Sequence, residues 1–359
     1  MFAKDPSFRI GCGRYVQKSG AVKSCGVEIL RLGRAPLIVA GKTAWQIAGA
    51  SVSEGLAAEN IDFSLEIYGG SCNAEAAEVL AKKARAVGRD VIVGVGGGVI
   101  MDFAKLIARM AECPVANIPT SLATCAAYTP LSVCYTEDGR TVGTAHHQRE
   151  VDLVIADSEI LLREPPRLFL AGVFDAMAKL LEIRHWYHGE DIPYPLGLDY
   201  AYTLAERSYE VLAKSTAACL RALETGEASE CFERAVFTLI CVTGVISGIS
   251  RGSQQTALGH KFYETARALY PMQTRPYLHG ELVGIGLLWQ NAYNGAPERN
   301  EELLSFMRAY GLPHSPAAAG VPISDESLET FFEAIYSNPK MKNEDGARLR
   351  ATLEELWRK

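Results

Sequence analysis

The chain has 359 residues, 48% of them hydrophobic, and a formal net charge of −6. These figures suit a folded protein of about two domains, and they argue against nucleic acid or an anionic membrane surface as partner, since both select basic patches. The nine cysteines are odd in number and contain no C-x-x-C pair, so reduced thiols in a cytoplasmic compartment are expected rather than a disulfide framework or a zinc cluster. The first residues lack an apolar signal-peptide core, and no uninterrupted apolar run reaches the length of about 18 residues that a membrane helix needs.

Along the first half, short apolar runs alternate with segments of helical periodicity. Strands are predicted at Pro36–Ala40, Ile61–Tyr68, Val91–Val95 and Val115–Ile118, and helices at Thr43–Glu59, Asn73–Ala86 and Val99–Ala111. Such alternation implies a parallel sheet covered on both faces. Leu131–Tyr135 and the turn Glu137-Asp138-Gly139-Arg140 read as a hairpin leaving that sheet, and Val151–Ala156 is a last strand. Arg163-Glu164-Pro165-Pro166-Arg167 is a stiff polar break. Beyond it only helical patterns follow, at Leu168–His188, Asp199–Glu224, Ala228–Ser250, Gly280–Asn294, Asn300–Tyr310, Ser327–Ser337 and Asp345–Arg358. The expected fold is therefore an N-terminal Rossmann-like α/β domain over residues 1–162, followed by an all-helical domain over 163–359.

The strongest local signal is Gly96-Gly97-Gly98 between a buried strand and a helix. Glycine lets a backbone approach a ligand closely, and a helix N-terminus offers unpaired N–H groups to a pyrophosphate. A tight turn without ligand is the plainer alternative, because the G-x-G-x-x-G fingerprint is absent. After Pro36–Ala40, the position where NAD-binding folds often carry an acidic residue for the ribose 2′-hydroxyl holds Gly41-Lys42-Thr43. Lys42 would neutralise a 2′-phosphate and Thr43 would donate to it, which favours NADP(H) over NAD(H). A solvated loop lysine is the alternative.

Gly96–Lys105 (GGGVIMDFAK) resembles the G-G-G-x-x-x-D-x-A-K segment of the glycerol dehydrogenase branch of the iron-type alcohol dehydrogenase superfamily. Pro119-Thr120, Thr124 and Leu131-Ser132-Val133-Cys134-Tyr135 resemble that branch's next stretch. Val173-Phe174-Asp175-Ala176 resembles its metal aspartate, and Gly259-His260 and His279-Gly280-Glu281 its two metal histidines. The resemblance implies a dehydroquinate synthase-like fold, a homo-oligomer and hydride transfer between a nicotinamide dinucleotide and a small molecule. It implies Asp175, His260 and His279 as ligands of one divalent metal. It also implies a cofactor site with Gly97 and Gly98 at the pyrophosphate, Thr120 at the adenine end and Thr129, Leu131 and Tyr135 against the nicotinamide half, together with Val99, Asp102 and Ala123. By type, one carboxylate and two imidazoles leave a coordination position open for substrate; a hydrogen-bonded core histidine is the ordinary alternative for either imidazole.

Three details refine this expectation. Long-chain iron alcohol dehydrogenases carry a further His four residues after the aspartate; here that residue is Lys179, and a three-ligand site favours Zn²⁺ over Fe²⁺. Glycerol dehydrogenases carry a substrate aspartate after Pro-Thr, where this chain has Cys125, so a substrate bearing its own carboxylate is expected. Cys125–Val133 resembles the hydroxycarboxylate dehydrogenase members, which reduce 2-oxo acids. Glu182, His185 and His188 are expected to spread around a partly exposed helix end, and His146-His147 to lie in a solvated loop. A polyol dehydrogenase, a dehydroquinate synthase-like lyase and a non-catalytic dinucleotide sensor are the alternatives.

Overall fold

A computed structural model describes residues 8, 10–136, 141–186, 196–250 and 255–358. The strands are β1 (Arg14–Gln17), β2 (Pro36–Ala40), β3 (Ser64–Ile67), β4 (Val91–Gly96), β5 (Val115–Pro119), β6 (Leu131–Tyr135), β7 (Thr141–His146) and β8 (Leu153–Ala156). The helices of the first half are α1 (Cys25–Ile29), α2 (Lys42–Ala57), α3 (Ala74–Ala86), α4 (Gly98–Ala111) and α5 (Ser158–Leu161). There follow α6 (Pro166–Trp186), α7 (Leu198–Thr225), α8 (Glu230–Phe237), α9 (Thr243–Ile249), α10 (Leu258–Leu269), α11 (Pro271–Thr274), α12 (His279–Tyr293), α13 (Asn300–Ala309), α14 (Asp325–Tyr336) and α15 (Gly346–Trp357). The chain groups into two compact units. One comprises Met1–Phe169 with Glu210–Arg251, the other Leu170–Tyr209 with Gly252–Lys359.

In the first unit six strands form a sheet in the order β1-β8-β5-β4-β2-β3, all neighbours parallel. Ile38 and Ala40 of β2, Val93 and Val95 of β4, and Ile118 of β5 share a buried cluster with Val52 and Leu56 of α2 and Ile29 of α1. The alternate residues Leu37, Val39 and Ile92 are buried as well, so both sheet faces are covered, which accounts for the unbroken apolar strands. β3 and β5 lie on opposite sides of the β2–β4 pair. The strand order thus reverses between β2 and β4, and in open α/β sheets that switch point is where ligands bind.

The expected strands and helices appear within a few residues of their predicted bounds. β1 escaped prediction because it is a four-residue edge strand with little buried surface. The turn predicted at 137–140 lies outside the described residues, but β6 and β7 pair antiparallel as expected. His147 is a correction. It is 5% exposed, with Nε2 2.8 Å from Ser132 Oγ, because the return of β7 carries it under β6; His146 stays exposed. The segment predicted as one helix at Ala228–Ser250 is α8 and α9 joined by a π-helical turn at Thr238–Val242. Glu230–Ile249 is long and apolar enough to cross a membrane by length and composition, yet 56% of its most apolar window is buried.

What fixes the β6 hairpin is a buried ion pair. Lys105 Nζ lies 2.8 Å from Asp102 Oδ1 and donates to the carbonyls of Ala126 (2.7 Å), Thr129 (2.9 Å) and Leu131. Asp102 Oδ2 accepts from Val133 N at 2.9 Å. Burial raises the Asp102 carboxyl above its ordinary value, and Lys105 opposes that. Removing one partner of a buried pair strands the other. Lys105→Met is expected to cost about 3–5 kcal/mol of stability, read as a lower urea midpoint.

Candidate active site

The second unit is built from helices, three of which carry the expected metal ligands. α6 presents Asp175 and, one turn on, Lys179; two turns on from Asp175 comes Glu182. α10 presents His260 near its N-terminus, and α12 begins with His279. Two close approaches let these helices converge. A Cβ at Gly280 would lie 1.8 Å from the Ala171 carbonyl oxygen of α6, and one at Gly286 would lie 2.5 Å from the Gly259 carbonyl oxygen of α10. Only glycine fits at either place.

Asp175 Oδ1 sits 3.3 Å from His260 Nε2 and 3.6 Å from His279 Nε2. One donor atom from each of the three residues lies within 4.8 Å of the others, and no other described trio of His, Cys, Asp or Glu meets that test. Ligands about 2.1 Å from a tetrahedral ion are separated by about 3.4 Å, so the two distances to Asp175 match what such an ion requires. The donor set, one carboxylate and two imidazoles, is that of catalytic zinc sites. The His279 side chain is 30% exposed while Asp175 and His260 are nearly covered, so the triad opens beside His279.

Glu182 corrects the sequence reading. It is fully buried and does not belong to an exposed helix end. Its Oε2 lies 2.6 Å from His260 Nδ1, and its Oε1 accepts from Ala257 N (2.6 Å) and His260 N (2.8 Å). It therefore caps α10 and fixes the His260 ring at once. Leu258 N is taken by Gln290 Oε1 at 2.8 Å, which satisfies another free N–H of that helix start. Gln290 Nε2 also reaches His185 Nδ1 at 3.1 Å, so His185 is a buried structural residue (1% exposed); His188 lies outside the described residues. The signal for Glu182 was its i+7 spacing from Asp175, which puts both on one face of α6.

Burial opposes ionisation of Asp175, but the Lys179 ammonium and the hydrogen bonds from His260 and His279 outweigh it and hold the carboxyl well below its usual range. Glu182 is likewise lowered, because His260 outweighs burial. His260 is pulled down by burial and up by Glu182, and ends raised to about 9. Burial lowers His279, with Asp175 opposing. Arg184, a basic residue near the ligands in sequence, turns to Tyr202 and Glu206 instead.

In the first unit, the switch point is lined by two glycine-led helix starts. Gly41, extended at φ −69° and ψ 146°, precedes α2, whose first turn holds no acidic residue. Gly97 precedes α4, also without an acidic first turn. The two turns are adjacent, since Gly41 N donates to Val95 O at 3.2 Å. Lys42, Thr43 and Val99 are exposed there, and Gly97, Gly98, Thr120 and Ala123 half-exposed. A Cβ at Gly98 would meet Thr124 Oγ1 at 2.9 Å, so a side chain would fill the cradle. Two free helix N-termini and no opposing carboxylate fit a pyrophosphate. Asp102 and Thr129 lie beneath, 7% and 3% exposed, engaged with Lys105, while Leu131, Tyr135 and Cys125 are half-buried.

The family model described as iron-containing alcohol dehydrogenase matches residues 12–158. Glycerol dehydrogenase of Thermotoga maritima is 31% identical over 344 residues, covering 92% of this chain and 90% of that protein. The chain belongs to the iron-containing alcohol dehydrogenase family. Its place is the glycerol dehydrogenase branch, and it is an alcohol dehydrogenase-type oxidoreductase of the metal-dependent, NAD-type class. Hydroxycarboxylate dehydrogenase A of Escherichia coli is 29% identical over 266 residues, 73% of this chain and 71% of that one. The crystal structure of glycerol dehydrogenase from Schizosaccharomyces pombe superimposes with a TM-score of 0.84 at 23% identity, over 99% of this chain and 91% of that one, a likeness of fold.

For this family member the ligand pKa values set a pH dependence. The folded-state value of His260, about 9 against an ordinary 6.5, is raised. Its contribution to the stability of metal-free protein is thus complete below about pH 6.5 and lost as pH rises through about 9. A metal at Nε2 must displace that proton. Zinc affinity of metal-free protein is expected to climb by up to about tenfold per pH unit towards pH 9 and then level off, as read by calorimetry. Glu182→Gln is expected to lower the affinity about 10–100-fold and move the plateau to lower pH.

Proposed function

We propose that the protein transfers hydride between NADP(H) and a small 2-oxo or 2-hydroxy carboxylate, with Asp175, His260 and His279 holding one divalent ion. The observation that carries this reading is the convergence of three donor atoms from three helices within 4.8 Å. Zn²⁺ is favoured over Fe²⁺, because the set has three protein ligands and Lys179 stands where a fourth would be. When bound, the ion supplies Lewis-acid polarisation of the substrate oxygen, worth several kcal/mol. The protein's own part is positional. Glu182 holds the His260 Nδ1 proton, which leaves Nε2 as a donor. In this reading residues 1–162 bind the dinucleotide and 163–359 the metal. The backbone N–H groups at Gly97, Gly98 and Val99 receive the pyrophosphate, with Ala123 beside it and Thr120 towards the adenine end. Thr129, Leu131 and Tyr135 serve the nicotinamide half, and Asp102 acts through the hairpin it anchors. None of the nine cysteines is in a disulfide, which supports a reducing, cytoplasmic setting; a homo-oligomer follows from the family resemblance.

The carboxylate substrate is supported by residue types. Cys125 lacks the negative charge that would repel an acid, and Lys179 adds a positive one beside the triad. A glycerol or polyol dehydrogenase is the second reading, favoured by the name of the 31% identical relative. NADP(H) is supported by Lys42 and Thr43 at the start of α2 and by the missing acidic residue there.

Three measurements test these readings. Zinc-loaded protein is expected to oxidise NADPH with 2-oxo acids and to show little NADP⁺ reduction with glycerol; glycerol turnover without any 2-oxo acid turnover selects the polyol reading. Asp175→Asn is expected to lose bound metal and more than about a hundredfold in kcat/KM. For the cofactor, Lys42→Glu is expected to lower the ratio of kcat/KM for NADPH over NADH by about ten- to a hundredfold, the value of one charge-assisted hydrogen bond.

A further inference from the structure

We propose that Lys179 determines the substrate class, its ammonium taking the carboxylate of an acid substrate at the ligand triad. The inference rests on the hydride-transfer reading above and adds to it the group that recognises the acid.

Lys179 is 5% exposed. Its Nζ lies 3.3 Å from Asp175 Oδ1 and 3.5 Å from His260 Nε2. Those distances are close to the 3.3 and 3.6 Å that the two imidazoles keep from Asp175, so the ammonium stands directly beside the donor cluster. An ammonium has three donors and no lone pair when charged, so it cannot serve as the fourth ligand. A substrate bound at the triad therefore lies in the field of this cation.

Charge decides which substrates suit that position. With neutral imidazoles, the carboxylates Asp175 and Glu182 and the ammonium of Lys179 leave one net negative charge in the buried cluster. A dication reverses this to one net positive charge. Nearby, Lys261 is paired with Glu264, and Lys340 lies within the field of Lys261, Glu264 and Glu182, so these two lysines add no negative charge to the cluster. Buried charge without a counterion is costly. A substrate that brings a carboxylate balances the site on binding, whereas a neutral polyol leaves an ammonium facing a dication. The same residue thus attracts acids and disfavours neutral substrates, which is how specificity is commonly built.

The test uses zinc-loaded protein with Lys179→Met, which keeps most of the stem and removes the charge, and Lys179→Arg, which restores it. Pyruvate and glycolaldehyde serve as the acid and neutral carbonyls. Oxamate, a non-reacting acid, is titrated by calorimetry with NADPH or NADH present, and bound zinc and melting temperature are measured for each variant. Lys179→Met is expected to lower the ratio of kcat/KM for pyruvate over glycolaldehyde by about 10–100-fold, mainly through KM, and to weaken oxamate by a similar factor with zinc retained. Lys179→Arg is expected to recover most of both. Parallel losses on the two carbonyls, unchanged oxamate affinity, or zinc lost together with oxamate binding would each overturn the proposal. Pyruvate turnover that survives unchanged in Lys179→Met sinks the lysine's role and leaves the hydride-transfer reading standing. Oxamate binding that depends on Lys179, in a protein that reduces no 2-oxo acid, does the reverse.

Discussion

The fully buried carboxylate of Glu182 is the constraint on which the ligand set depends. Its two oxygens take the backbone N–H groups of Ala257 and His260 and the ring N–H of His260. The first two contacts satisfy donors that a helix start otherwise leaves open, and they set a negative charge at the positive end of α10. The third fixes the tautomer that turns Nε2 towards Asp175. Loss of this one side chain would free the helix start and the ring together. A surface ion pair of the same geometry would be worth far less, because water would screen it and compete for every partner.

Such a concentration of charge in a covered site is tolerable because the groups compensate one another. Burial alone would protonate both carboxylates, yet Asp175 and Glu182 are held below their ordinary values by Lys179 and His260. In the metal-free protein an imidazolium at His260 and the Lys179 ammonium balance the two carboxylates. Bound metal takes the place of that proton. The metal-free cluster is therefore balanced, a dication would leave it one net positive charge, and the exchange between states is a proton-for-metal replacement at one nitrogen.

The alternation of buried strands and striped helices was legible because each element repeats one period over enough residues. The helix predicted from Asn73 starts on a side-chain cap, Asn73 Oδ1 accepting from Glu75 N and Ala76 N. The candidate ligands were legible only through family resemblance, since Asp175, His260 and His279 lie up to 104 residues apart in number and no spacing rule connects them. α10 went unread because His260 and Thr265 sit on its buried face and disguise its apolar stripe. Glu182 was misjudged by comparing it with His185 and His188 instead of with Asp175. His147 was misjudged because a polar pair after a hairpin looks solvated, while the partner that buries it, Ser132, lies on the other strand.

The glycine contacts determine where variation in the ligand-bearing unit can act. Gly280 against the Ala171 carbonyl and Gly286 against the Gly259 carbonyl leave no room even for a methyl group, so the backbones of α6, α10 and α12 are fixed relative to one another. Helices held in this way would keep the three candidate donor atoms in place for an ion, and their spacing cannot be retuned by small backbone shifts. Selectivity must then come from side chains that face the triad without supporting it. On α6, Asp175 is a donor and Glu182 holds a donor. Lys179, between them on the same face, is neither a donor nor a cap of α10; its ammonium acts on the cluster by charge, through its contact with Asp175 Oδ1.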